Sequence, residues 1–284
     1  MYKTKLSPVF QDKLNLLRKN RNFNAEQWVN SRCIQFNNYL ATTPLKTVVV
    51  SVSGGIDSSV TFALANYAQH QPNSPIQRVL GVLQPIHSTA QIQDRALLLK
   101  DFGDLITVDQ TEIFDSLFKK VDTALDMNSS DFARGNLRSY MRTPVAFYVA
   151  QMTNGCVVGT GNYDEDGFLY YFSKAGDGVS DVQLIHDLHK SEVYEVGRFL
   201  GLAKQLVEAV PSADLWAGQT DENEIGWSYD HVELITELVR TNELDLYEKT
   251  LSAYELSDFK EFKIRLFEIH ERNKHKAVFP LNIK

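Results

Sequence analysis

The residues most able to do chemistry lie in one run, Ser53-Gly54-Gly55-Ile56-Asp57-Ser58. Two glycines let a backbone turn approach a phosphate closely, and free N–H groups at the start of a following helix carry positive partial charge. The hydroxyls of Ser53 and Ser58 add donors. Asp57 is an odd neighbour for an anion, because its charge repels phosphate; the repulsion disappears if it holds Mg²⁺ that bridges to the phosphate. The run has neither the GK[ST] of a Walker loop nor a GxGxxG pattern. A plain strand-to-helix turn is the bland alternative. Other candidates are weaker alone. Glu165 reads as a loop acid, Asp177 between Gly176 and Gly178 as a turn residue, and His275-Lys276 as a solvated tail. Lys190 opens a predicted helix, where the dipole disfavours a cation, so a bound phosphate would explain it better than solvent does.

The elements around this run place it. TVVVSV (47–52) is β-branched and almost continuously apolar, as a strand covered on both faces requires. A helix is expected from about 58 to 69. Strands follow at 78–83, 104–108 and 156–160, with helices near 89–101 and 111–126 and a long helical segment over 130–154 that Pro144 should kink or split. Asn24 is a predicted cap for a helix in which Val29, Cys33, Phe36 and Leu40 share one face. Segment 161–187 is rich in Gly, Asp and aromatic residues and lacks a helical period. Residues 190–200 return to a helix stopped by Gly201, 211–228 is loop-like, and 229–275 reads as helical. Strand–helix alternation predicts an α/β fold: a doubly wound, mostly parallel sheet flanked by helices, with one domain over 1–284. In such a sheet ligands bind beyond the C-terminal strand ends, where the Ser53–Ser58 run lies.

Composition excludes several classes. The chain has 284 residues, 43% of them apolar, and 29 basic against 36 acidic residues, a net charge of −7. Non-specific nucleic-acid binding needs a basic footprint, so no nucleic-acid partner is expected. No run approaches the ~18 apolar residues of a membrane span, and MYKTKLSPVF lacks the apolar region of a signal peptide, so a cytoplasmic protein with no membrane partner is expected. Cys33 and Cys156 form neither a disulfide framework nor a zinc spacing.

The run resembles the SGGxDS signature of the ATP pyrophosphatases, enzymes that cleave ATP between the α and β phosphates and transfer AMP to an oxygen. Later segments are more discriminating. GTGNYDED (159–166), YFSKAGDG (171–178), Asp181, HDLHKSEV (186–193), PSADLWAGQTDENEIGWSYD (211–230) and the pair 275–276 resemble the NAD synthetase family in order and spacing, from about residue 24 to 276. The resemblance implies the adenine nucleotide alpha-hydrolase-like version of this fold.

Carried over position by position, it implies ATP contacts at Ser51, Val52, Ser53, Gly54, Gly55, Ile56, Asp57, Ser58, Thr160, Lys190 and Ser212. It implies Mg²⁺ held by Asp57 and Glu165, and Asp177 near the entry of the nucleophile. Lys174, Asp181, His275 and Lys276 match positions that contact deamido-NAD. Two departures concern this second substrate. The family often reads GNxxARxRM on its long interface helix, whereas this chain reads GNLRSYMRTP (135–144), with Tyr140 at the position of the first Arg and Arg142 at the second. One extra residue lies between Glu165 and Lys174.

The reaction so implied is amidation of deamido-NAD by ammonia through an acyl-adenylate, with release of pyrophosphate and AMP. A related ligase acting on nicotinate mononucleotide or another carboxylate, suggested by Tyr140 and the insertion, and a non-catalytic nucleotide binder are the alternatives. A glutaminase domain would need far more chain, so ammonia is the expected nitrogen donor. The family resemblance implies a homodimer, and the large apolar residues of 130–154 exceed one buried stripe, as a subunit interface would require.

Overall fold

The structure, a computed structural model, describes residues 5–209, 220–278, 280 and 283. Among these, five parallel strands form one sheet: β1 (Thr47–Ser51), β2 (Arg78–Leu83), β3 (Asp104–Thr107), β4 (Gly155–Gly159) and β5 (Val182–Gln183), in the order β3-β2-β1-β4-β5. Strand order reverses at β1, which pairs with β2 on one side (Val48 opposite Val79) and β4 on the other (Val48 opposite Cys156).

The helices are α1 (Pro8–Arg21), α2 (Ala25–Ala41), α3 (Ile56–Gln69), α4 (Ala90–Leu97), α5 (Thr111–Leu125), α6 (Asp131–Met152), α7 (Lys190–Phe199), α8 (Lys204–Val207), α9 (Asp221–Ile225), α10 (Tyr229–Arg240), α11 (Leu244–Glu248) and α12 (Ala253–Asn273). The apolar run of β1 is explained by burial on both faces. Val48 and Val50 join Cys33, Cys156 and Val193 in a core with α2, α3 and α7. Val49 packs with Ala146 and Ala150 of α6 on the opposite face. Burial pushes both cysteine thiols up to about 12, so neither is poised as a nucleophile.

A second core joins Phe10, Leu14 and Leu17 of α1 to Val232, Ile235 and Leu238 of α10 and to Phe259, Phe262 and Leu266 of α12. Phe168 and Leu169 enter this core from a π-helical turn, Tyr163–Leu169, which thereby sits between the sheet and the C-terminal helices.

Several elements differ from expectation. The third helix begins at Ile56, two residues early, because Gly55 supplies the extended cap conformation. The long segment is one unbroken helix, α6, with Pro144 inside it; its later turns are anchored by Ala146 and Ala150 against the sheet, so the lost N–H does not split it. The expected helix near 89–101 is the shorter α4 followed by a 3-10 turn at Lys100–Phe102. The segment 161–187 contains the π-helical turn and β5, and 229–275 divides into three helices.

Candidate active site

The Ser53–Ser58 run connects β1 to α3. Gly54 takes a left-handed φ of +79°, and a Cβ there would lie 2.8 Å from the Ile92 carbonyl oxygen, so the turn demands glycine on both counts. The Ser53 hydroxyl accepts from the Gly55 N–H (3.2 Å) and lies 3.1 Å from the Ser58 hydroxyl. The turn is therefore closed on itself before any ligand arrives. Asp57 occupies the first turn of α3, where a carboxylate meets the positive end of the helix dipole.

A cleft of about 560 Å³ opens over the C-terminal ends of β1 and β4, where the strand order reverses. Ser51, Val52, Ser53, Gly55, Ile56, Asp57 and Ser58 line one wall, and Thr160, Glu165 and Lys190 line another. Gly54 lies behind them against α4.

The charged centre is compact. Lys190 Nζ lies 2.6 Å from Asp57 Oδ2 and 2.7 Å from Glu165 Oε1, and 4.8 Å from the centre of the Tyr229 ring. Burial alone would lower the Lys190 ammonium; the carboxylates of Asp57 and Glu165 outweigh it and hold it well above its ordinary value. Asn162, fully buried, ties the two acidic elements together: its amide donates to Asp57 Oδ1 (2.9 Å) and its carbonyl accepts the Glu165 N–H (3.0 Å). The Tyr229 hydroxyl donates to Glu165 Oε1 and lies 3.2 Å from Asp221 Oδ2.

Two further carboxyl groups crowd this centre. Asp221 and Asp166 are both buried and line the cleft. Burial, with Glu165 and Asp57 close by, pushes the Asp221 carboxyl up to about 7, and its Oδ1 has no hydrogen-bond partner among the described residues. Burial and the neighbouring Asp177 and Glu165 raise Asp166 well above the usual carboxylate range. Gly161 makes room for Asp166, since a Cβ there would stand 1.8 Å from Asp166 Oδ2.

Two hard carboxylates that already share one cation, and that keep 18% and 16% of their side-chain surface open, suit Mg²⁺. Among the described residues no group of three or more His, Cys, Asp and Glu side chains is arranged to hold a metal. Asp57 and Glu165 would therefore supply at most two ligands, leaving the rest to phosphate and water, which is the usual way Mg²⁺ is held.

The remaining sequence candidates are distributed unevenly. Asp177 lines the cleft, and its Oδ1 accepts from the Ser139 hydroxyl (2.8 Å) and the Ser173 N–H (2.9 Å). Lys276 also lines it, with Nζ donating to the carbonyls of Tyr170 (3.1 Å) and Phe172 (2.6 Å). Lys174 and His275 meet each other outside the cleft lining, Lys174 Nζ donating to the His275 carbonyl at 3.1 Å. Asp181 stands at the entry to β5, its Oδ2 accepting the Val157 N–H at 2.7 Å. Tyr140 is 40% exposed and outside the cleft lining, whereas Ser139, Arg142 and Thr143 of the same helix line it. Ser212 lies outside the described residues.

Sequence reading assigned no role to Asn162, Asp164, Asp166, His189, Asp221 or Tyr229. The polar residues of α10, His231, Glu233, Thr236 and Glu237, are buried in the structure and need partners there, but nothing in the sequence separates them from a solvent-facing stripe.

The NAD synthase family model matches residues 28–280. An NH(3)-dependent NAD(+) synthetase of Thermoplasma volcanium is 34% identical over 242 residues, covering 84% of this chain and 90% of that protein. Among solved structures, an NMN synthetase from Francisella tularensis superposes with a TM-score of 0.77 at 25% identity, covering 92% of this chain and 99% of that one. The NH3-dependent NAD synthetase from Campylobacter jejuni, 20% identical, shares the fold with a TM-score of 0.71 over 92% of this chain and 100% of that one. With a parallel sheet flanked by helices, a glycine-rich turn at its switch point and this extent of matching sequence, the chain belongs to the NAD synthase family of ligases.

Proposed function

We propose that the protein amidates the carboxylate of deamido-NAD with ammonia, at the expense of ATP, to give NAD⁺, AMP and pyrophosphate. The observation that carries this reading is the convergence of Asp57, Glu165 and Lys190 in the cleft beside the Ser53–Ser58 turn. A carboxylate is a poor electrophile, and adenylation converts it into one. Attack of the carboxylate oxygen on the α-phosphorus forms the acyl-adenylate and expels pyrophosphate; ammonia then attacks the acyl carbon and AMP departs.

In this reading the Ser53 and Ser58 hydroxyls and the N–H groups at the start of α3 grip the phosphates. Thr160 and Ser212 contact the nucleotide. Asp57 and Glu165 would hold Mg²⁺, and the ion would supply positive charge to offset that of the pyrophosphate leaving group. Lys190 turns its ammonium from the two carboxylates to the phosphate. Asp177, shared between Ser139 and the Ser173 N–H, lies where the nucleophile enters. Lys174, Asp181, His275, Lys276 and Tyr140 are the proposed contacts of the nicotinate substrate.

Nicotinate mononucleotide as the acceptor is the second reading. It is favoured by the likeness to the Francisella tularensis NMN synthetase and by Tyr140, a neutral residue where the pattern GNxxARxRM that the segment resembles has Arg. We further propose a homodimer in the cytoplasm. Its support is the exposed apolar surface of α5 and α6, where Phe132 is 72%, Met152 69% and Tyr148 64% exposed.

Purified protein supplied with ATP, Mg²⁺ and ammonium, and with each acceptor in turn, tests the reading by pyrophosphate release and by mass identification of the product. A higher kcat/KM for deamido-NAD supports the first reading, and a higher one for nicotinate mononucleotide supports the second. Pyrophosphate from neither overturns both.

A further inference from the structure

Two pairs of consecutive residues face each other behind the cleft. Asp164-Glu165 opens the π-helical turn and His189-Lys190 opens α7. The outer members meet in the cleft, Glu165 Oε1 lying 2.7 Å from Lys190 Nζ. The inner members meet at the same separation in the interior, Asp164 Oδ1 lying 2.7 Å from His189 Nδ1, with both side chains fully buried. Asp164 reaches across a second time: its Oδ2 accepts the Lys190 backbone N–H at 2.8 Å, satisfying one of the N–H groups that a helix start leaves unpaired. The Thr236 hydroxyl lies 3.2 Å from Oδ1 and shares its one proton with the Glu233 carbonyl at 3.0 Å. With both oxygens held, the Asp164 carboxylate cannot turn about its own bond.

The other side of the imidazole is held as firmly. His189 Nε2 lies 2.6 Å from Glu237 Oε1, and Glu237 is paired in turn with Arg240 and, at 3.6 Å, with Arg21 of α1. A neutral imidazole has one N–H, yet two carboxylates stand within hydrogen-bond distance of its two nitrogens; both nitrogens must donate. The same conclusion follows from the electrostatics: burial alone would lower the ring, but Asp164 and Glu237 outweigh it and push it up to about 10.

We propose that His189 is a positioning residue for the nucleotide site. By donating to Asp164 with one ring nitrogen and to Glu237 with the other, it locks the 164–165 pair onto the 189–190 pair and so fixes the gap between Glu165 and Lys190. The inference rests on the reading that these two residues serve Mg²⁺ and the ATP phosphates. It adds a residue that touches neither substrate, and it extends the support of the site to Glu237, Arg240 and α1.

His189→Gln is the direct test, because glutamine can donate to Asp164 or to Glu237 but not to both. Calorimetric titration with Mg²⁺ and α,β-methylene ATP should show affinity weakened about tenfold, with KM for ATP raised in step, since small misplacements of a binding group cost one to two orders of magnitude. KM for the nicotinate acceptor should change less than about twofold, because its proposed contacts lie on other elements. The double variant His189→Gln/Glu237→Gln can rebuild the relay with neutral amides and should recover most of the nucleotide affinity. A purely structural role would instead lower the melting temperature and weaken every ligand in parallel. Unchanged nucleotide affinity in folded His189→Gln, or a parallel loss of all affinities, overturns the proposal. If His189→Gln does not fold, Thr236→Val loosens the same grip on Asp164 Oδ1; a loss of about threefold is expected there, and no change overturns the proposal. Wild-type protein that fails to bind the analogue refutes the reading of the site itself, whereas normal wild-type binding that survives in His189→Gln refutes only the role of His189.

Discussion

Replacing Lys190 by methionine removes one charge from the centre of the site and leaves most of the packing. The thioether stem can still lie against the Tyr229 ring, over which Lys190 Nζ sits at 4.8 Å. What is lost is the cation that Asp57 and Glu165 share. Breaking a buried ion pair by deleting one partner costs about 3–5 kcal/mol. The two carboxylates keep 18% and 16% of their side-chain surface exposed, so cleft water can solvate them in part. The expected loss is therefore about 2–3 kcal/mol, or roughly 3–5 °C in melting temperature for a chain of this size. Thermal unfolding in chelator measures it. The second half of the experiment adds Mg²⁺ without ATP. With the ammonium gone, the carboxylates are open to an external cation, and the variant should gain more stability from the metal than wild type does, following RT ln(1 + [L]/Kd). Pyrophosphate release should be lost in parallel. An unchanged melting temperature in chelator, together with the same Mg²⁺ response as wild type, would refute the view that Lys190 balances a cation-seeking pair.

Asp57→Asn preserves shape but not charge, and we expect a folded protein without measurable pyrophosphate release; activity near the wild-type rate would remove Asp57 from the metal site. The His189 ring is raised from 6.5 to about 10, so its contribution to stability is complete below pH 6.5 and is lost as pH rises through 10, a slope of about −1.4 kcal/mol per pH unit in between. Urea unfolding at pH 7.5, 8.5 and 9.5 should show that slope in wild type and a flatter one in His189→Gln; equal slopes would mean that the ring is neutral in the fold. Tyr229→Phe deletes the hydroxyl bonded to Glu165 and should raise the Mg²⁺ concentration for half-maximal activity by about threefold to tenfold, as loss of a hydrogen bond to a charged group does. Gly161→Ala would push Asp166 from its place, and a stability loss of about 1–3 kcal/mol in urea is expected; an unchanged midpoint would show that the segment yields easily.

The parts of the site legible in sequence were those fixed by short-range rules. A buried strand, two glycines and an acid in the first helical turn specify the Ser53–Ser58 loop locally, and the strand–helix alternation specifies the sheet. Tyr140 illustrates a helix-phase effect. Asn136, Thr143 and Phe147, at i−4, i+3 and i+7 from it, line the cleft, so Tyr140 sits at the margin of that face of α6, 40% exposed and outside the lining itself. The π-helical turn left no periodic signal, because seven residues are too few to display one and because its shape depends on Asn162, Phe168 and Leu169 being held by distant elements. Buried charge was the hardest feature to see. Glu233 and Glu237 look like the solvent face of α10 until Arg18 and His189 arrive from elsewhere in the chain to pair with them.

The sheet order has a further consequence for how the protein is made. Strand β1 gains β2 as a neighbour soon after both are synthesised, but its other edge pairs with β4, where Thr47 stands opposite Gly155. At about 5–20 residues per second, a ribosome needs several seconds to deliver the intervening chain. Through that interval the apolar, β-branched segment TVVVS keeps one row of backbone donors and acceptors open, the kind of edge that pairs with other chains. The cleft is tied to the same late step, because Thr160, Glu165 and Lys190 all follow β4. Nascent chains halted before residue 155 should therefore depend on chaperones and lack any nucleotide site, and refolding from denaturant should be slow and concentration-sensitive.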